Sequence, residues 1–157
     1  MKTIKRDVLK FLEQDNFEKN LKNIHKFPPK KAVNALLSFL VNTDEIIKDR
    51  AVKAMGEVVS NLAEKDIESA RIIMRRLMLS LTEESGGIGW GSPEAMGEIM
   101  ARNKQLAGEY HKILISYTAG GGNELDFDGL QKSVISGLQR LAEVHPNMVK
   151  EVSHLLE

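Results

Sequence analysis

Apolar residues recur at helical spacing along almost the whole chain, and no segment sustains the strict alternation of a strand, so the pattern predicts an all-α protein. A leader carries Ile4, Val8, Leu9 and Leu12, then Phe17, Leu21 and Ile24, and reads as two short amphipathic helices broken near Asp15-Asn16. Pro28-Pro29 suits the first turn of a new helix, where a missing N–H costs nothing, and that helix runs through Ala32, Leu36, Leu37 and Leu40. Asn42-Thr43-Asp44 offers capping side chains for a long helix from about 45 to 64, with Ile47, Ala51, Ala54, Met55, Val58 and Leu62 on its buried face. Asp66 can cap the next helix, which extends to about residue 82.

Glu83 to Gly91 holds four glycines in six positions and cannot be regular helix. The pattern restarts at Ser92-Pro93, with Ser92 as expected cap and Pro93 as first helical residue. A helix over about 104–117 precedes the Gly120-Gly121-Gly122-Asn123 break. Asp126 or Asp128 opens the last long helix, through Leu130, Val134, Leu138 and Leu141, and Pro146 ends it. Met148, Val152, Leu155 and Leu156 form the stripe of a short terminal helix.

The chain also repeats itself. Ala54-Met55-Gly56-Glu57 recurs as Ala95-Met96-Gly97-Glu98, an offset of 41, and the preceding helices agree at the same offset, Leu36-Leu37 with Leu77-Met78 and Leu40 with Leu81. A weaker third copy, Gly137-Leu138-Gln139-Arg140, follows at an offset of 42. One helical hairpin cannot bury its apolar face alone, so such units stack into a continuous core with atypical ends as caps. Gly56 and Gly97 are costly inside helices and imply close backbone approach.

Asp49-Arg50-Ala51-Val52-Lys53-Ala54-Met55-Gly56, an Asp and Arg before small residues on the second helix of a unit, resembles the signature of bacterial and archaeal HEAT-like repeats. The resemblance covers about 28–157, is good in the first unit, partial in the second and poor in the third. Gly86 to Glu98 and Leu125 to Leu141 are also similar to uncharacterised single-domain prokaryotic proteins of this kind. It implies a short right-handed α-α superhelix, a HEAT/armadillo-like solenoid of about three hairpins. Residues 1–27 would be an N-terminal helical cap, followed in one compact domain by units at 28–65, 66–102 and 103–145 and a terminal helix at 146–157. Repeats of this type also occur in lyases that attach bilin chromophores, which admits a small-molecule role by resemblance alone.

Composition narrows the chemistry. The 157 residues include no cysteine, which excludes disulfides, thiolate metal sites and cysteine nucleophiles, and aromatic content of 5% favours helices over sheets. Twenty-two basic residues balance 22 acidic ones, so the whole chain lacks the field of a dedicated nucleic-acid binder. The balance is uneven: residues 1–31 hold nine Lys+Arg against four Asp+Glu, and Arg71, Arg75 and Arg76 add a second cluster. An exposed Lys-rich cap explains the leader without nucleic acid. With no apolar run long enough to span a bilayer and no signal-peptide pattern, the expectation is a soluble cytoplasmic protein with no membrane partner. Met55, Met74, Met78, Met96 and Met100 fall at core spacing and read as filler.

The Gly-rich insertion is the sharpest anomaly, because long loops on rigid scaffolds concentrate function and the only tryptophan, Trp90, lies in it. Gly87, Gly89 and Gly91 around Trp90 resemble a phosphate-cradling loop before a helix N-terminus. The run follows a helix rather than a strand and no Gly-Lys-Ser/Thr follows, so it does not match a nucleotide fingerprint. The loop either reaches a ligand or partner, or folds Trp90 and Ile88 back over the core. Glu57, Glu98 and Arg140 occupy equivalent repeat positions, the row that in a solenoid faces the concave binding surface. Glu94 and Glu98 are one turn apart with His111 on the following helix, a conceivable Glu/Glu/His set without a metal-site spacing; a plainer reading pairs Glu98 with Arg102.

His25, His145 and His154 sit near helix ends, and no Ser/His/Asp arrangement emerges. The expectation is therefore a non-catalytic protein-interaction scaffold, without cofactor or bound metal, using Glu57, Gly87, Gly89, Trp90, Glu94, Glu98, His111 and Arg140 toward a protein or peptide partner. The alternative is a small-molecule-binding or enzyme-accessory protein whose loop closes over a pocket with Trp90, Glu94 and His111.

Overall fold

The computed structural model describes residues 2–82, 90–125 and 128–157, and among these the regular structure is all helical. Seven α-helices follow one another: α1 (Lys2–Glu13), α2 (Pro29–Phe39), α3 (Glu45–Lys65), α4 (Ile67–Ser80), α5 (Ser92–Arg102), α6 (Lys104–Ser116) and α7 (Asp128–Val144). Two 3-10 helices, Leu21–Lys26 and Pro146–Leu155, complete the set. Where the periodicity predicts amphipathic helix around Phe17–Ile24 and after Pro146, the chain is turn and 3-10 helix; these segments are short, and a few anchors (Phe17, Ile24, Val149, Val152) suffice to bury them.

Local chemistry sets the boundaries. Asp44 Oδ1 accepts the N–H groups of Ile46 at 2.9 Å and Ile47 at 3.4 Å, which starts α3. Asp66 ends α3 in an extended conformation and starts α4, accepting the Ser69 N–H at 3.3 Å. Asn103 repeats the arrangement between α5 and α6, accepting the Leu106 N–H at 2.9 Å. Ser92 does not cap as expected. Gly91 holds the cap position of α5, and the Ser92 hydroxyl instead shares a 2.7 Å hydrogen bond with Ser80 at the end of α4. After α6 the chain turns through Gly120 at φ +79° and Gly122 at φ +105°, values that side chains with a Cβ seldom adopt.

The helices pack in a regular order. α5 lies against both α3 and α7, each of α2 to α6 packs on its successor in the chain, and α1 leans on α2 and α3. Cross-links between non-adjacent helices fall near the repeat offset: Arg76 donates to Asn34 (α4 to α2), Arg71 to Glu109 (α4 to α6), Arg102 to Glu57 (α5 to α3) and Arg140 to Glu98 (α7 to α5). Among the described residues one apolar cluster runs from Val8 to Val152, with Leu36, Met55, Met74, Leu77, Met96, Ile99 and Leu138 all fully enclosed. The leader joins this core through Phe11, which meets Phe17 and Phe27 edge to face. Arg50 ties it down from α3, donating to the Leu12 and Gln14 carbonyls at 2.7 and 3.0 Å and lying over the Phe17 ring.

Candidate functional site

The face formed by α3, α5 and α7 carries an open cavity of about 600 Å³. Helical geometry assembles its walls. Glu45, Lys48 and Asp49 share one side of the first turns of α3, and Gly129, Lys132, Ser133 and Ser136 form an i, i+3, i+4, i+7 stripe on α7. Between them α5 contributes Glu94, and Trp90 and the Val41–Thr43 connection close one end. A second hollow of about 280 Å³ continues from Asp49, Glu94 and Ser136 to Val52, Lys53, Glu98 and Arg140.

Trp90 is half-buried, and its six-membered ring packs on α7 where Gly129 has no Cβ to obstruct it. Gly91 brings the segment against the Leu40 carbonyl, where a Cβ would come within 2.7 Å of the oxygen. The indole thus forms part of the cavity wall while keeping partial exposure. Gly87 and Gly89, the expected cradle, lie outside the described residues, as does Ile88.

The electrostatics of the cavity centre on Lys48. Its ammonium lies 3.1 Å from Glu45 and 3.5 Å from Glu94, and the Lys48 and Glu94 side chains are only 15% and 17% exposed. Burial opposes the Lys48 charge, but Glu45, Glu94 and Asp49 together outweigh it and raise its pKa. Burial also pushes the Glu94 carboxyl above its usual range; Lys48 offsets this in part and Asp49 reinforces it. Asp49 is shifted upward for the same leading reason, with Lys48 acting against it. Ser133, 3% exposed, lies near enough to Glu94 to favour the carboxylate, yet its Oγ makes no hydrogen bond of acceptable geometry among the described residues.

Glu57, Glu98 and Arg140 do come together, as one ion-pair chain. His25 Nε2 is 2.7 Å from Glu57, Arg102 reaches Glu57 at 3.1 Å and Glu98 at 2.7 Å, and Arg140 reaches Glu98 at 3.0 Å and Glu143 at 3.3 Å. The Glu98–Arg102 pair matches the plainer expectation for Glu98. Glu98 is 5% exposed and engages both guanidiniums, so the row clamps α3, α5 and α7 to one another.

His111 stays apart from this face. Its Nδ1 hydrogen-bonds the Ala107 carbonyl within α6 at 2.8 Å, and it is not among the residues lining the cavity. Glu94, Glu98 and His111 therefore do not assemble, and among the described residues no group of three or more His, Cys, Asp or Glu is placed to hold a metal ion. Lys48, Asp49, Lys132, Ser133 and Ser136 were not expected. Their only signal is the pair of polar stripes on α3 and α7, which resemble ordinary solvated helix faces until α5 is seen between them.

The arrangement can hold a charged or polar group: three carboxylates, two ammoniums, hydroxyls and an indole face a space large enough for a side chain or a small molecule. Among the described residues no helix is long and apolar enough to cross a membrane. The chain is 27% identical over 139 residues to an uncharacterized protein of Archaeoglobus fulgidus, a match taking in 86% of this chain and 67% of that protein. No family model matches the chain, and no solved structure matches it.

Proposed function

We propose that this chain is a short HEAT-like α-α superhelix acting in the cytoplasm as a non-catalytic binding module, and that a partner protein docks on the α3–α5–α7 face. The repeat supports the architecture, because alternate helices are joined by side-chain bonds 38 to 45 residues apart, around the spacing of the repeated pattern, as stacked units require. One observation carries the function: the cavity lies where α3, α5 and α7 meet, and its walls hold a buried hydroxyl, Ser133 Oγ, beside the Glu94 carboxylate but without a hydrogen bond of acceptable geometry. Exposed Val41, which lines the cavity, adds apolar surface to it. The ion-paired row from Glu57 to Arg140 stiffens this surface.

Cross-linking of the full chain in extracts of its source, followed by peptide mapping, tests the reading. Links should map to α3, α5 or α7 and disappear in Ser136→Arg, which fills the cavity mouth from an exposed position. Links confined to the α2–α4–α6 side, or unchanged in that variant, would sink it. The same unsatisfied hydroxyl favours a second reading, an accessory protein that holds a small polar molecule in the cavity.

A further inference from the structure

We infer that the cavity between α3, α5 and α7 receives an organic cation, an alkylammonium or guanidinium group, held by Glu94 and Asp49, hydrogen-bonded to Ser133 and lying beside Trp90. The inference rests on the docking face proposed above and names its anchor, a lysine or arginine side chain of the partner.

Charge decides the sign. Lys48 faces three carboxylates, Glu45, Glu94 and Asp49, and a single ammonium cannot neutralise them. Even with Lys132, exposed on the α7 wall, the lining carries three acidic groups against two basic ones, and Lys53 acts on Asp49 from the adjoining hollow, half-committed to Glu18. Lys48 sits closer to Glu45 than to Glu94, which leaves Glu94 the less well compensated of the two although it is far more buried. A second cation would supply the missing charge, next to two carboxyls whose ionised form burial disfavours.

Hydrogen bonding and shape agree. Ser133 Oγ has lone pairs but no donor directed at it among the described residues, and a cationic N–H supplies one. The ring of Trp90 borders the same space and attracts a cation through its quadrupole. An anion entering here would meet three carboxylates.

The test uses the full chain and its single tryptophan, read by the Trp90 indole N–H resonance and by fluorescence. The probes are Nα-acetyl-lysine amide and Nα-acetyl-arginine amide, with the norleucine amide as neutral isostere, the glutamate amide as anion and putrescine as free diamine. Saturable shifts are expected with the two cationic amides alone among the amino-acid probes. Loss of a charge-assisted bond in Glu94→Gln should weaken them by about tenfold or more. Lys48→Gln removes the competing ammonium and should tighten them, a second reading of the site that leaves Glu94 in place. Equal binding of norleucine amide, stronger binding of glutamate amide, or affinities unchanged in both variants would overturn the site. Putrescine saturating well below the blocked amino acids would overturn the partner side chain as its source.

These probes need no partner, so the two readings fail separately. Cation binding that depends on Glu94, with cross-links indifferent to Ser136→Arg, would retain the site and reject the docking face. Cross-links lost in Ser136→Arg with no cation binding would do the reverse.

Discussion

The carbonyl group of Gly137 in α7 occupies the space that a Cβ on residue 97 of α5 would need, and the Pro93 carbonyl stands in the same relation to Gly137. The two helices meet backbone to backbone. Neither helix can shift to admit a methyl group without parting from a neighbour, since α5 is also packed against α3. Gly97→Ala should therefore destabilise the fold by roughly 1–3 kcal/mol despite the better helix propensity of alanine. Gly108, on the exposed side of α6 with nothing near its missing Cβ, gives the control: Gly108→Ala should add about 0.5–1 kcal/mol. Urea denaturation measures both, and a Gly97→Ala protein as stable as the parent would contradict the close approach.

Glu98 should be the most damaging single truncation in the ion-pair chain. Removing it takes away the carboxylate that both arginines share at 2.7 and 3.0 Å, leaving Arg102 on Glu57 and Arg140 on Glu143, and the loss should be about 1.5–3 kcal/mol, the range for hydrogen bonds to charged groups. Lys53, whose pair with Glu18 joins side chains 43% and 66% exposed, should cost less than about 0.5 kcal/mol when truncated. Denaturation of Glu98→Ala beside Lys53→Ala checks the ranking, and equal losses would show that the chain contributes no stability through burial.

Stability should depend on pH through Glu94 with a definite sign. Its folded pKa lies above the ordinary carboxylate value because burial disfavours the charge, so the folded state holds this proton more tightly than the unfolded chain. The resulting penalty is absent below the unfolded pKa, grows as pH rises toward the folded pKa, and is complete above it. Glu94→Gln, which cannot ionise, should be more stable than the parent at neutral pH, with a gap that narrows on acidification. Thermal melts of both proteins from pH 4 to 8 read this directly; a gap that widens toward acid would refute the assignment.

Trp90 should report on the α7 contact. Gly129→Ala places a methyl group against the indole ring, which must move outward, so the emission maximum should shift to the red and the melting temperature should fall. An unchanged spectrum would place the indole elsewhere.

Much of the secondary structure was legible because its causes are local. Asp44 and Asp66 cap helices within three residues of themselves, Pro29 and Pro93 sit in first turns, and the positive φ of Gly120 and Gly122 follows from a glycine run. Ser92 shows where local reasoning stops: its capping preference yields to a hydroxyl on α4 twelve positions earlier in the chain. The juxtaposition of Glu57, Glu98 and Arg140 was legible from the repeat, yet Arg102, which bridges the first two, was visible only as a partner of Glu98.

The sequence by itself determined the helical class, the caps at Asp44 and Asp66 and the meeting of Glu57, Glu98 and Arg140, because apolar period and capping chemistry act over a turn and the repeated pattern sets an offset between like positions. Tertiary structure alone decided that His25 of the leader would close on Glu57, that His111 would stay on α6, and that Lys48, Glu94 and Ser133 would share one cavity. A cavity is the space left where three helices approach unequally. Its lining is set by the closeness of backbones at Gly97 and Gly137 and by the Trp90 ring lying on Gly129, and no spacing within one helix encodes those distances.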